Sequence, residues 1–236
     1  MYDVTSYRSL RSINVPNACK LTDMTSCEHN RCVYISDHYI ESVHRLDSHG
    51  AATRWAVNDK PWSLSVNASH NVLVTCPLVR KIKEFSTDGR TIREVQLPSD
   101  VINPSHTIQL VSDGQFLVCH GLGGDTACRV CIVSADGSRT VRSYSGQPGP
   151  DTGRPHVPRR LAVDNYGFVF VADVSNRQIT LLSPTLDYIR PIVTSNLLKG
   201  DPRRLCLDVQ RGHLYVADTE YKVDDIVSGR VMVVSV

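Results

Sequence analysis

A chain of 236 residues, 41% of them hydrophobic, is long enough to bury a sizeable core. Its 26 Lys and Arg against 24 Asp and Glu leave a formal charge of +2, so no bulk field commits it to DNA or to a membrane surface. No apolar run reaches the length of a bilayer span, and the N-terminus lacks the apolar segment of a secretion signal; the expectation is a cytoplasmic protein with no membrane partner.

Alternation of apolar with other residues predicts short strands along the whole chain. Leu10-Arg11-Ser12-Ile13 is the first such pattern. Pro16 then leads to Cys19 and Leu21, followed by Cys32-Val33-Tyr34-Ile35, by Val43 to Leu46-Asp47, and by Thr53-Arg54. Pro61 leads to Leu64 and Val66, then Val72-Leu73-Val74, then Ile82 to Phe85-Ser86, then Ile92-Arg93. Pro104, one residue out of step, leads to Ile108 and Leu110, then Phe116-Leu117-Val118, Val130 to Val133-Ser134, and Val141-Arg142. A Gly- and Pro-rich loop over 146–153 follows. Pro158 opens the next unit, with Phe168-Val169-Phe170-Val171, Ile179 to Leu182-Ser183 and Ile189-Arg190. Pro202 opens the last, with Leu214-Tyr215-Val216 and Val231 to Val234-Ser235. Asp88-Gly89 and Asp136-Gly137 mark tight hairpins, because glycine tolerates the positive φ such turns need.

The period lies in the forties and is plainest where Pro158-Arg159-Arg160-Leu161-Ala162-Val163-Asp164 is echoed by Pro202-Arg203-Arg204-Leu205-Cys206-Leu207-Asp208. A self-similar period of that length predicts an all-β propeller of four-stranded antiparallel blades. Five blades are expected, at 18–57, 58–101, 102–146, 154–199 and 200–236. The last runs out of chain before its fourth strand, so residues 5–15 are expected to supply it and close the ring. Each blade needs its neighbours, so 1–236 is expected to be a single domain.

These residues resemble NHL-repeat propellers, the C-terminal domains of many tripartite-motif (TRIM) ubiquitin ligases. The likeness is greatest over 143–183, in Val157 to Asp164, Gly167 to Asp173 and Asn176-Arg177-Gln178-Ile179. The blade at 200–236 follows the pattern through Ala217-Asp218 and then departs, with a loop expected at Thr219 to Ser228. The first three blades share only periodicity and hydrophobic pattern. The family most often has six blades, which leaves two alternatives, a five-bladed relative or a chain lacking one blade. The resemblance implies a protein- or RNA-binding surface; RING, B-box and coiled-coil segments are absent from these residues.

In a propeller the loops entering the inner strands share a rim with the loops joining second to third strands. The repeat lays the pairs Asn17-Ala18, Trp62-Ser63, Ser105-His106, Arg159-Arg160 and Arg203-Arg204 around that rim, with Lys60, Arg80, Arg154, His156, Arg177 and Tyr221 nearby. The expected function is a non-catalytic cationic binding rim, with a protein or peptide as partner and RNA as the alternative. Guanidinium forks suit carboxylates and phosphates, and Trp62 and Tyr221 offer stacking faces. The rival is a propeller hydrolase or lactonase with an axial metal held by Asp37, His120, Asp173 and Asp218. Recurrence of the three aspartates from blade to blade favours a structural role instead, holding adjacent turns through side-chain-to-backbone bonds. A lectin-like array ranks third, because the rim pairs differ between blades.

No cofactor is expected. Cys128 and Cys131 have metal-ligand spacing but no second such pair, and nine histidines form no recognised motif. Eight cysteines are expected to be reduced, with Cys76 and Cys119 as small fillers at the repeat position of Ser36, Ala172 and Ala217. Cys27 and Cys32 flank a hairpin turn and could face each other, forming a disulfide only in an oxidising compartment. Asn67-Ala68-Ser69 fits a glycosylation sequon with no secretion signal to accompany it.

Overall fold

The middle strands of this chain are apolar on both sides of their pleat, so each must be buried between two neighbours. A computed structural model describes residues 15–121, 128–145, 155–222 and 225–236, and side chains outside 221–228. Its strands, in chain order, are β1 (Leu21–Cys27), β2 (Cys32–Asp37), β3 (Ser42–Asp47) and β4 (Ala52–Ala56), then β5 (Ser63–Val66), β6 (Val72–Cys76), β7 (Lys81–Phe85) and β8 (Thr91–Gln96). Blade 3 holds β9 (His106–Gln109), β10 (Phe116–His120), β11 (Arg129–Val133) and β12 (Thr140–Tyr144). Blade 4 holds β13 (Pro158–Val163), β14 (Val169–Asp173), β15 (Gln178–Leu182) and β16 (Tyr188–Val193); blade 5 holds β17 (Asp201–Asp208), β18 (His213–Lys222) and β19 (Asp225–Ser235). Each blade is an antiparallel meander, and the five form a β-propeller with β1, β5, β9, β13 and β17 innermost.

Alternate residues of a middle strand serve opposite neighbours, as a period of two requires. Val72 and Val74 pack towards blade 1, while Leu73 packs towards blade 3. Phe116 and Val118 face blade 2; Leu117 and Cys119 face blade 4. Val169 and Val171 face blade 3; Phe170 and Ala172 face blade 5. Four apolar layers therefore lie between consecutive blades, and the core is a set of seams around a polar axis.

The recurrent outer-strand arginines stitch these seams. Arg93 donates to Glu84, its cross-strand partner, at 2.7 Å, and its guanidinium carbon lies 5.4 Å from the Phe116 ring of blade 3. Arg142 of β12 donates to Asp187 of blade 4 at 3.2 Å. Gly137 shows why the Asp-Gly turn tolerates no side chain: its φ is +78°, and a Cβ there would stand 2.3 Å from the Gln96 carbonyl oxygen of blade 2.

Three sequence expectations change. The inner strand of blade 1 begins at Leu21, not near Pro16; Leu21 pairs with Asp37 as Pro158 pairs with Asp173, so Thr22-Asp23 stands where Asn17-Ala18 was expected. A leucine in place of the usual proline hid that register. Thr75, opposite Ile82, takes the position of Ser36 and Ala172, and Cys76 takes that of Asp37 and Asp173. Where a loop was expected over Thr219 to Ser228, the described residues continue β18 and β19 as paired strands, with Thr219 opposite Gly229 and Glu220 opposite Ser228. That pair runs so close to the preceding loop that a Cβ on Gly200 would stand 2.2 Å from the Thr219 carbonyl oxygen.

Blade 5 has three strands among the described residues. The fourth strand expected from residues 5–15, and the loop at 146–153, lie outside them apart from Val15. The outer strand β19 carries exposed Val231 and Val233.

Candidate binding face at the mouth of the axial channel

One rim gathers the inner-strand entries and the turns between second and third strands; we term it the entry face. Aspartates at the ends of second strands hold it in shape. Asp37 accepts from the amides of Cys19 at 2.6 Å and Lys20 at 3.0 Å, and Asp173 from those of His156 and Val157, both at 2.9 Å. Asp218 accepts from the Lys199 amide at 2.8 Å and from Arg230 at 2.9 Å. His120 occupies the same place in blade 3, its Nδ1 accepting from the Ile102 amide at 3.3 Å.

Their protonation follows from these contacts. Burial pushes the Asp37 carboxyl up, but its four backbone donors outweigh that and hold it below its ordinary value. Burial likewise opposes Asp218, and Arg230 with two amides brings it down. At Asp173 burial outweighs the Val157, His156 and Asn176 donors, and the carboxyl is raised. Burial, and then the charge of Arg129, lowers His120 to about 4. Four groups once weighed as axial metal ligands are thus tied to separate loops. Among the described residues no three His, Cys, Asp or Glu side chains are placed to hold a metal ion.

The channel throat is built from one repeat position, occupied in turn by Asp23, Ser63, His106, Arg160 and Arg204. Arg160 Nη2 lies 2.8 Å from Asp23 Oδ1, and Arg204 Nε lies 3.1 Å from the same oxygen. The Leu64 amide donates to Asp23 Oδ2 at 2.8 Å, and Arg204 also donates to the Thr22 carbonyl. His106 Nδ1 accepts from the Leu161 amide at 3.3 Å; burial, then the charge of Arg160, drives its pKa well below the ordinary value. Inner strands are sheet edges; Asp23 and His106 accept from amides, and Arg160 and Arg204 donate to carbonyls, that no fifth strand reaches. Beneath the throat lies a cavity of about 270 Å³ with Met24, Val66, Ile108, Val163, Leu205 and Leu207 in its wall.

The mouth lies one residue nearer solvent. The Arg159 guanidinium carbon stands 5.9 Å from the Trp62 ring centroid, and the His38 ring meets the same indole edge-on at 5.8 Å. Arg159 Nε is buried and has no hydrogen-bond partner among the described residues. Burial, then the neighbouring charge of Arg203, holds the Arg159 pKa below its ordinary value. Arg203 pairs with Asp201 at 2.9 Å, and Arg177 approaches Asp201 at 3.8 Å.

The sequence-predicted residues therefore divide. Trp62, Arg159 and Arg203 come together at the mouth, while Lys60, His156 and Arg177 are exposed on the same rim. Arg80, at φ +52°, donates to the Ser99 carbonyl at 3.2 Å. Arg160 and His106 are buried in the throat, and Arg204 reaches down to join them, so these three line the channel below the rim. Arg154 lies outside the described residues, as does the side chain of Tyr221, whose backbone is in β18. Two features were not foreseen. One is Asp23, hidden by the blade 1 register. The other is a set of bare apolar side chains, Leu78 (70% exposed), Val79, Ile102 and Leu197, on the same face as Tyr39 (72%). Part of that signal was in the sequence, as Leu78-Val79 in the turn between β6 and β7.

Comparison with known proteins places the chain by shape. No family model and no curated protein matches it. Among solved structures it is similar to a streptogramin B lyase (TM-score 0.64, 17% identity, covering 95% of this chain and 71% of that one). It is similar to a catalytically inactive virginiamycin B lyase from Staphylococcus aureus with quinupristin (TM-score 0.63, 12% identity, 86% and 64%). Hydrazine synthase from Kuenenia stuttgartiensis is a further neighbour (TM-score 0.65, 14% identity, 91% and 66%). Identities this low establish the propeller fold alone.

Proposed function

We propose that the entry face is a non-catalytic docking surface for an acidic protein segment. The observation that carries this reading is Arg159, laid over Trp62 with its Nε buried and unpartnered. A half-buried cation on an indole face is poised for an anion, because the stack orients the guanidinium without neutralising it. Exposed Tyr39, Leu78 and Val79 in turns of the same face favour a protein over RNA: tryptophan, tyrosine and arginine amid apolar contacts is the composition of protein-binding hot spots. The reading agrees with the resemblance to NHL-type propellers, in which this domain is the recognition part of a TRIM-like protein in the cytoplasm.

The test is binding of fluorescent poly-L-glutamate by anisotropy. Arg159→Glu should weaken it at least tenfold while Arg31→Glu, on the opposite face, leaves it unchanged. Equal binding by both variants contradicts the reading, as does tighter binding of polyuridylate than of the acidic polypeptide.

A further inference from the structure

On the face opposite the mouth, the first hairpin of blade 1 brings two cysteines together. Cys27 ends β1, Cys32 begins β2, and they are direct cross-strand partners. Such partners point to the same side of a sheet, and both side chains are buried in the seam between blades 1 and 2. Opposed Cα atoms in an antiparallel pair stand about 4.5 or 5.5 Å apart, according to the kind of pair. Either spacing falls inside the range of roughly 4.4–6.8 Å that a disulfide spans. The other cysteines lying in strands have no such partner: Cys76 faces Lys81, Cys119 faces Val130 and His106, Cys131 faces Val118 and Ser143, and Cys206 faces Tyr215.

The pair is buried yet reachable. Cys27 lines an open groove with Glu28, His29, Arg31, Val66 and His70, in which the two imidazoles stack with centroids 3.9 Å apart. Cys32 lies against Tyr34, whose pKa is raised by burial and then by that thiol. The Tyr34 hydroxyl reaches blade 2 through Thr87 Oγ1 at 2.8 Å. A change of sulfur chemistry here therefore acts on a hydrogen-bonded link between two blades.

We propose that Cys27 and Cys32 are a reversible redox couple, closed to a disulfide by hydrogen peroxide and reopened by a dithiol. The Cys27 thiolate, on the groove side, attacks the peroxide; an S–O bond forms, the O–O bond breaks, and with one proton the first water leaves. The Cys32 sulfur then attacks the sulfenic sulfur, the S–S bond forms, and with a second proton the hydroxyl leaves as the second water. Two thiols lose two electrons and hydrogen peroxide gains them.

Trypsin provides the test, because it cuts after Arg31, between the two cysteines, and separates peptide 21–31 from peptide 32–45. After hydrogen peroxide and then N-ethylmaleimide, the wild-type protein should yield these two peptides joined, about 2 Da lighter than the sum of the free thiol forms. Dithiothreitol before the maleimide should return both in alkylated form. In Cys32→Ser, peroxide should leave Cys27 as a sulfenic acid trapped by dimedone. The proposal is overturned if both wild-type peptides remain singly alkylated after peroxide, if either cysteine links elsewhere, or if Cys27 advances to the sulfinic acid with its partner present. The wild-type measurement decides the matter even if the variant fails to fold.

Discussion

Arg160 of blade 4 and Asp23 of blade 1 meet at 2.8 Å in the channel throat, their side chains 5% and 3% exposed. Neither side chain reaches bulk water, and although Arg204 and the Leu64 amide also meet Asp23, its carboxylate is the anion paired with Arg160. Asp23→Ala should leave the Arg160 charge buried and uncompensated at a cost of about 3–5 kcal/mol. Replacing both, as Asp23→Leu with Arg160→Met, should cost clearly less. Urea denaturation of the three proteins checks this, and equal losses in the single and double variants would contradict it.

Acid should weaken the fold before its carboxylates titrate. Burial holds His106 and His120 neutral in the folded chain, His120 with a pKa of about 4, whereas an unfolded histidine titrates near 6.5. The unfolded state therefore binds more protons between these values. The stability is fully present above about pH 6.5 and falls as pH drops towards 4, by on the order of 3 kcal/mol for His120. Asp173, raised by burial, works with the opposite sign at lower pH. His120→Asn keeps an acceptor for the Ile102 amide and should flatten the slope of urea midpoints between pH 7 and 4.5.

Leu78 lies on the proposed docking face with most of its surface in solvent. Leu78→Asp should reduce binding of an acidic partner segment about tenfold by adding a like charge and removing an apolar anchor. Its melting temperature should stay within a degree or two, since exposed substitutions usually change stability by about 0.5 kcal/mol or less. Calorimetry and anisotropy on the same preparation separate the two effects.

The outer strand β19 has no partner on its far edge among the described residues, while four blades are complete. Leu10-Arg11-Ser12-Ile13 carries the pattern of Ile92-Arg93 in β8, Val141-Arg142 in β12 and Ile189-Arg190 in β16. Deleting residues 1–14 should lower the melting temperature by roughly 5–10 °C and promote association through the open edge. An unchanged melting temperature would show that these residues do not complete the blade.

The antiparallel blades and their number were legible because two forces write directly into sequence. Middle strands between two seams must be apolar on both faces, and turns must carry Asp-Gly or its equivalents. The role of Asp37, Asp173 and Asp218 was legible for the same reason, since each blade faces the same need to hold its entry loop. What escaped was register without a landmark. Pro158 and Pro202 mark inner-strand entry, but Leu21 does not, so Asp23 went unseen and Arg160 read as a rim residue instead of half of a throat ion pair. Long-range pairing across a ring leaves no local trace. The sequon at Asn67 misleads similarly: its amide donates to Glu84 and Gln109, both at 2.9 Å, inside the blade 2–3 seam.

Hydrogen exchange with and without poly-L-glutamate tests most directly which side of the propeller meets a partner. Slowed exchange confined to 38–41, 57–62, 77–80, 155–159, 174–177 and 197–203 is the predicted result. Protection at 28–31, 67–71 and 164–167, on the far side, would contradict the account.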